Sequence, residues 1–294
     1  AEGERGLAEA LGFMGLSAYS SKKDLKTAQA LFEESLELYR KHEDQWGIAF
    51  DFLQLGMLAL TRNDDSLALS TLKQSMDLFH RLGDIWGKSR VSHILGELFL
   101  RQGNNETARY FFEQNLKFDE ELEFKPGMVV ALSNLGNLHR YQSEYSQARQ
   151  YFEKSLDISR TYGIKETWGL GLYSLGLVAL HQNRYSVAKQ YFTDHFKTQK
   201  GSFDEVSAGI LFLSQAAVSA GTDQLEQAAR LSGAAQAIFE TLDYRISRFD
   251  QAEFDRHIQK AREQLGTDKF EILANEGRAM TMEQAIACAL EDDL

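Results

Sequence analysis

Phe52-Leu53-Gln54-Leu55-Gly56-Met57-Leu58-Ala59-Leu60-Thr61-Arg62-Asn63-Asp64-Asp65-Ser66-Leu67-Ala68 is the stretch whose reading decides the fold. Phe52, Leu55, Gly56 and Ala59 recur at the spacing of one helix face, which predicts a first helix from about Gly47 to Thr61. Arg62-Asn63-Asp64 reads as a short polar turn. Leu67, Ala68, Leu72, Ser75 and Phe79 then share one side of a second helix from about Asp65 to Arg81. A glycine inside a helix costs about 1 kcal/mol relative to alanine. Gly56 therefore implies a close helix crossing that a larger side chain would block.

Working outward from this stretch at a constant period, the same layout returns. Ala28, Ala68, Ala108, Ala148, Ala188 and Ala228 hold one position, and Phe32, Leu72, Phe112, Phe152, Phe192 and Ser232 stand four residues later. Leu16, Gly56, Gly96, Gly136, Gly176 and Ala216 stand twelve residues before the alanines. One such hairpin buries too little apolar surface to offset the ordering of its own backbone, so neighbours must stack, as in a solenoid. The pattern resembles the tetratricopeptide repeat at Leu55-Gly56, Ala68, Leu72 and Ser75, and again at Leu95-Gly96, Ala108, Phe112 and their later equivalents. The resemblance implies an all-α, right-handed α-α superhelix of about six hairpins with a C-terminal helical cap. The standard unit is shorter, at about 34 residues. The extra length is expected between hairpins, in segments such as Arg81-Leu82-Gly83-Asp84-Ile85-Trp86-Gly87. The outer units depart from the motif, with Leu16 after Gly15 at one end and Ser232 at the other, as terminal repeats do.

The period stops near Thr241, which divides the chain into a repeat array over residues 1–240 and a cap over 241–294 packed on the last repeat. In the cap, Arg248 to Leu265 reads as a helix ended by Gly266, and Asp268 to Glu276 as one ended by Gly277. Thr281-Met282-Glu283-Gln284 is a capping box opening a last helix through Leu290. Glu291-Asp292-Asp293 opposes the helix dipole and predicts a frayed end. Ala228-Ala229-Arg230-Leu231-Ser232-Gly233-Ala234-Ala235, Leu265-Gly266 with Phe270, and Glu276-Gly277-Arg278-Ala279-Met280 resemble the C-terminal end of bacterial regulators that join a STAND-type ATP-binding module to a tetratricopeptide array, large LuxR-type transcription regulators among them. That resemblance implies a sensor arm that contacts an inducer or partner and controls an ATPase switch. No Walker A loop accompanies it: Gly87-Lys88-Ser89 has Leu82 where the earlier glycine belongs, and reads as a helix start. The lack of an initiator Met and of an ATPase leads us to expect a portion of a longer protein.

Composition narrows the function classes. Net charge is −11 with no basic block, and 15 acidic residues face 8 basic ones from Asp223 onward, which disfavours nucleic acid and anionic membrane. A hydrophobic share of 43% with one proline, Pro126, suits a helical globular chain. The single cysteine, Cys288, allows no intrachain disulfide or multi-cysteine zinc site and reads as a buried small residue. No apolar run approaches a membrane span, and the acidic start lacks a signal-peptide core, so a cytoplasmic location is expected.

No residue set reads as catalytic, and no cofactor or metal is expected. His42, His80, His93, His139, His181, His195 and His257 form no tight metal pair, and no serine sits in a nucleophile elbow. Trp46, Trp86 and Trp168, near the starts of first helices, read as packing between hairpins. Helical phase places on the concave face Phe50, Leu53, Met57 and Thr61; then Arg90, His93, Glu97 and Arg101; then Ser133, Asn137, Arg140 and Tyr141; then Tyr173, Leu177 and His181. The Arg, Asn, Tyr and His of this set suit a peptide or acidic ligand; the alternative is an ordinary solvated surface. The leading reading is a non-catalytic binding and sensor module for a protein, peptide or small inducer, the arm of a larger regulator. A free-standing scaffold and a receptor for a signalling peptide or metabolite are the rivals.

Overall fold

The computed structural model describes residues 2–20, 24–198 and 204–290. Among them the chain is all-α, without a strand. Six hairpins follow in order: α1 (Glu2–Ser20) with α2 (Leu25–Lys41), α3 (Gln45–Thr61) with α4 (Asp65–Leu82), α5 (Ile85–Arg101) with α6 (Asn105–Glu121), α7 (Lys125–Tyr141) with α8 (Tyr145–Thr161), α9 (Lys165–His181) with α10 (Tyr185–Thr198), and α11 (Glu205–Gly221) with α12 (Leu225–Thr241). Three further helices close the chain: α13 (Arg248–Leu265), α14 (Thr267–Arg278) and α15 (Met282–Leu290).

The extra length of the repeat does not lie between hairpins, contrary to the expectation from sequence. Gly83 and Asp84 alone separate α4 from α5, and Ile85-Trp86-Gly87 is already helical. The helices themselves are long, 17 residues in α3 and 18 in α4. The turns within and between hairpins share one design, repeated at half the hairpin period. Glu43, Asn63, Gly83 and Gly103 adopt positive φ just past a helix end. The next residue sends its N–H back five positions, as from Asp44 to Tyr39 O at 3.0 Å and from Asp64 to Ala59 O at 2.9 Å. That same residue caps the following helix: Asp44, Asp64 and Asn104 accept from the N–H groups of Gly47, Leu67 and Thr107. In these turns one acidic or amide side chain ends the turn and begins the helix, whereas Glu144, Ile164 and Gln224 hold the same position without a side-chain cap.

Within each hairpin a large side chain fills the space a small residue leaves. Phe32, Leu72, Phe112, Phe152 and Phe192 are at most 1% exposed. A Cβ on Gly56, Gly96 or Gly176 would overlap Leu72, Phe112 or Phe192. In the first hairpin Gly15, not Leu16, makes this room, for Phe32, so that unit keeps the contact with a one-residue slip. Ser35, Ser75 and Asn115 lock the pairs by donating to the carbonyls of Ala8, Ala49 and Ser89 at 2.9, 2.7 and 3.3 Å.

The chain forms two compact units, Ala1–Leu138 and His139–Leu294. The first holds α1 to α6 and most of α7. In the second, α13, α14 and α15 pack on α11 and α12. Gly277 lies inside α14 and does not end it. A Cβ there would strike the Arg230 carbonyl of α12, and one on Gly233 would strike that of Ala274, so the two glycines let these helices cross backbone to backbone. The capping box forms, with Thr281 N–H donating to Gln284 Oε1 at 2.9 Å and Gln284 N–H to Thr281 Oγ1 at 3.3 Å. Glu291-Asp292-Asp293 lies outside the described residues. No helix is long and apolar enough to cross a membrane among the described residues.

Candidate functional site

In the first unit the candidate residues take separate roles. Leu53 is buried in the core, Phe50 and Met57 are half-buried and Thr61 is exposed. His93 Nδ1 accepts from Asn134 Nδ2 at 3.2 Å, and His93 Nε2 meets Glu97 at 3.4 Å. Burial, helped by the nearby Arg90 guanidinium, lowers the His93 imidazole to about 4, so it meets Glu97 as a neutral ring. Burial raises the Glu97 carboxyl, with Arg90 and Arg101 opposing. Arg101 is turned to the α3–α4 junction, where it donates to Leu60 O at 2.6 Å and Asn63 Oδ1 at 3.0 Å and pairs with Asp65. Ser133 is buried and bonds Val129 O of its own helix at 2.8 Å, and Asn137 is half-buried.

In the second unit the candidates converge, and they converge on α13. Tyr141, His181 and Gly221 stand one repeat apart as the last residues of α7, α9 and α11. α13 lies over the first two of these ends and packs on α11. Phe249 stacks on Tyr141, with ring centroids 3.9 Å apart and an interplanar angle of 15°. Asp250 pairs with Arg140 at 2.7 Å, and Arg140 is 4% exposed with its guanidinium 4.9 Å from the Tyr141 ring. One turn on, Glu253 meets His181 Nδ1 at 2.9 Å, His257 Nε2 at 3.1 Å and Arg256 at 2.8 Å. Lys260 reaches Asp223, beyond the end of α11, at 3.5 Å.

The electrostatics follow from this crowding. Burial alone would raise Glu253, but hydrogen bonds from His181 and His257 and the charges of His181 and Arg256 hold it well below the usual carboxylate range. Burial raises the Tyr173 phenol well above its ordinary value, and the Asp250 carboxylate adds to this. Leu177 is buried in the core beside them. α13 is held by stacking, by a buried guanidinium–carboxylate pair and by imidazole–carboxylate bonds. Phe249, Asp250, Glu253 and His257 were not among the sequence candidates. Their one available signal was the i, i+3, i+7 spacing of Asp250, Glu253 and His257 on one helix. Among the described residues, no group of three or more His, Cys, Asp or Glu side chains is arranged to hold a metal ion.

A cavity of about 830 Å³ opens in the second unit between α12, α13 and α14. Phe239, Tyr244, Ile258 and Phe270 line it, and two of its arginines are paired, Arg278 with Glu240 and Arg262 with Glu271.

Comparison with known proteins agrees with the fold. Models described as tetratricopeptide repeat match residues 89–161 and residues 8–42. The chain carries a tetratricopeptide-repeat region. Among solved structures it is similar to aspartyl phosphate phosphatase F from Bacillus subtilis, at 15% identity and a TM-score of 0.69 over 92% of this chain and 70% of that one. A Rap protein complexed with competence and sporulation factor matches at 14% identity and a TM-score of 0.61, over 88% of this chain and 75% of that one. A STAND signal-transduction ATPase with a tetratricopeptide-repeat sensor, from Pyrococcus horikoshii, matches at 14% identity and a TM-score of 0.57, over 90% of this chain but 45% of that one. No curated protein matches the sequence.

Proposed function

We propose that this chain is a non-catalytic recognition module whose second unit receives an amphipathic helix or peptide bearing aromatic and acidic side chains. The observation that carries the reading is α13 itself, seated with Phe249 on Tyr141, Asp250 on Arg140 and Glu253 on His181. A partner segment of the same chemistry takes the place of α13, so the tail helix sets the threshold for binding. The neighbours favour a sensing role: the Rap structure holds a competence and sporulation factor, and the repeats of the STAND ATPase are a sensor. On that reading the chain is the regulatory arm of a larger bacterial, cytoplasmic, ATP-dependent regulator. A free-standing scaffold differs from it in lacking an upstream ATPase in the full gene product. The cavity of about 830 Å³ favours one further reading, a small-inducer receptor, because it falls in the size range of ligand sites, about 300–1,000 Å³.

The test uses a fluorescent peptide spanning residues 245–265, added in trans. Anisotropy should report weak binding to the wild-type chain and at least tenfold tighter binding to a variant with α13 loosened by Phe249→Ala, Asp250→Asn, Glu253→Gln and Phe254→Ala. Adding Arg140→Ala and His181→Ala should abolish the gain. Equal, weak binding to all three proteins would refute helix recognition at this site.

A further inference from the structure

In the first unit a cavity of about 190 Å³ is lined by Phe13, Tyr39, Trp46, Phe50 and Asp51, with Gly12 beside them. Asp51 is the most deeply buried of these, at 0% exposed, and Phe13 the most open, at 72%. No hydrogen bond of good geometry reaches either Asp51 carboxylate oxygen. The adjacent Ser35 hydroxyl gives its single proton to Ala8 O. In the repeat frame the same position is held by Val91, Ala131, Gly171 and Leu211, all buried, so the packing of a hairpin does not require a carboxylate there. A buried, unpaired charge is costly, and the architecture offers an apolar residue in its place.

The surroundings are anionic and aromatic together. Trp46 and Phe50 stack 5.3 Å apart, and Trp46 is held by its Nε1–H donating to Asp84 at 3.0 Å and by Trp86, whose ring lies 6.3 Å away. The charged and titratable groups facing Asp51 are Arg5 and Glu9 from α1, Tyr39 from α2 and Asp44 from the α2–α3 turn. Arg5 pairs with Asp44 at 2.8 Å, which leaves more negative than positive charge around the cavity. Burial pushes the Tyr39 phenol up to about 12, and Asp51, Glu9 and Asp44 reinforce that shift. Burial likewise raises the Asp51 carboxyl, to about 7. Aromatic faces beside a carboxylate are the chemistry that recognises an organic cation. The volume is below the range of drug-sized sites and suits one small head group.

We propose that this cavity binds an organic ammonium group, with Asp51 matching its charge and Trp46, Phe50 and Tyr39 facing its carbon atoms. The site lies in the first unit and uses none of the residues that hold α13. Titration of the full chain at pH 8 with n-butylammonium, tetramethylammonium and Nα-acetyl-lysine amide, followed by tryptophan fluorescence and calorimetry, tests it. At least one of the three should bind saturably, while n-butanol and sodium chloride at matched concentrations should not. Asp51→Asn should weaken binding at least tenfold, and Phe13→Ala, a change at an exposed side chain, severalfold. At pH 5.5, where Asp51 is protonated, wild-type affinity should fall by a similar factor. Preference for the lysine amide would identify a polypeptide lysine as the source, and preference for a simple amine a free metabolite. Absence of saturation with all three, or unchanged affinity in both variants, would overturn the assignment.

Discussion

Asp51 and Glu253 are both buried carboxylates, one in each unit, and their surroundings treat them in opposite ways. No hydrogen bond of good geometry reaches Asp51, and burial pushes its carboxyl up to about 7 against a smaller opposing effect of the nearby Ser35 hydroxyl. Glu253, 5% exposed, is met by His181, His257 and Arg256 and is held below the ordinary range. Burial penalises both; partners decide the sign. The partners of Glu253 come from α9 at a repeat end and from α13 itself. The repeat thus provides a rack of helix ends, and an added segment settles whether charges buried on it are satisfied.

The strongest way to break this comparison is to strip a partner from the second unit. Arg140→Ala leaves Asp250 with its buried guanidinium partner gone, and losing one member of a buried pair costs about 3–5 kcal/mol. Urea denaturation should show that loss, and the Arg140→Ala, Asp250→Ala double variant should recover part of it. A double variant as weak as the sum of the singles would mean that the pair is not coupled.

The next largest effect has the opposite sign. An unfolded Asp titrates near 3.9, while folded Asp51 titrates near 7. Between these values the folded chain holds a proton that the unfolded chain has released, so stability falls as pH rises through that window. Asp51→Asn removes the loss. It should be more stable than wild type at pH 8, by up to about 4 kcal/mol, with the gap closing toward pH 4. Glu253 behaves inversely: its contribution is full above its unfolded value, about 4.3, and is lost as pH falls. Glu253→Gln should therefore flatten the acid limb of a thermal-melting profile and leave the difference between wild type and Asp51→Asn across pH 4 to 8 unchanged.

How much of this was legible follows from the range of each signal. The hairpins are written in a recurring pattern of Gly, Ala and Phe because every unit makes the same short-range contact. The half-period is written too, in Asp44, Asp64, Asp84 and Asn104. Reading Arg62-Asn63-Asp64 as a turn without giving Gly83-Asp84 the same weight mistakes helix length for connector. Helical phase selects Arg140, Tyr141 and His181, but nothing local marks Phe249, Asp250 or Glu253 as their partners. Charges spaced along a helix look the same whether they meet solvent or a distant array. Asp51 did carry a signal, as the charged exception among Val91, Ala131, Gly171 and Leu211.

Arg101 gives the smallest and most discriminating test. It occupies the repeat position of Tyr141 and His181, at the end of α5, yet it bonds Leu60 O, Asn63 and Asp65 within its own unit. Its side chain is 32% exposed, so solvent screens the pair with Asp65, and exposed pairs contribute about 0–1 kcal/mol. Arg101→Ala should lower stability by about 1 kcal/mol, measured by urea denaturation, and should leave binding of the 245–265 peptide to the loosened variant unchanged. If peptide affinity fell with Arg101 as it does with Arg140, recognition would not be confined to the second unit, and the contrast between a self-tied repeat end and a tail-covered one would fail.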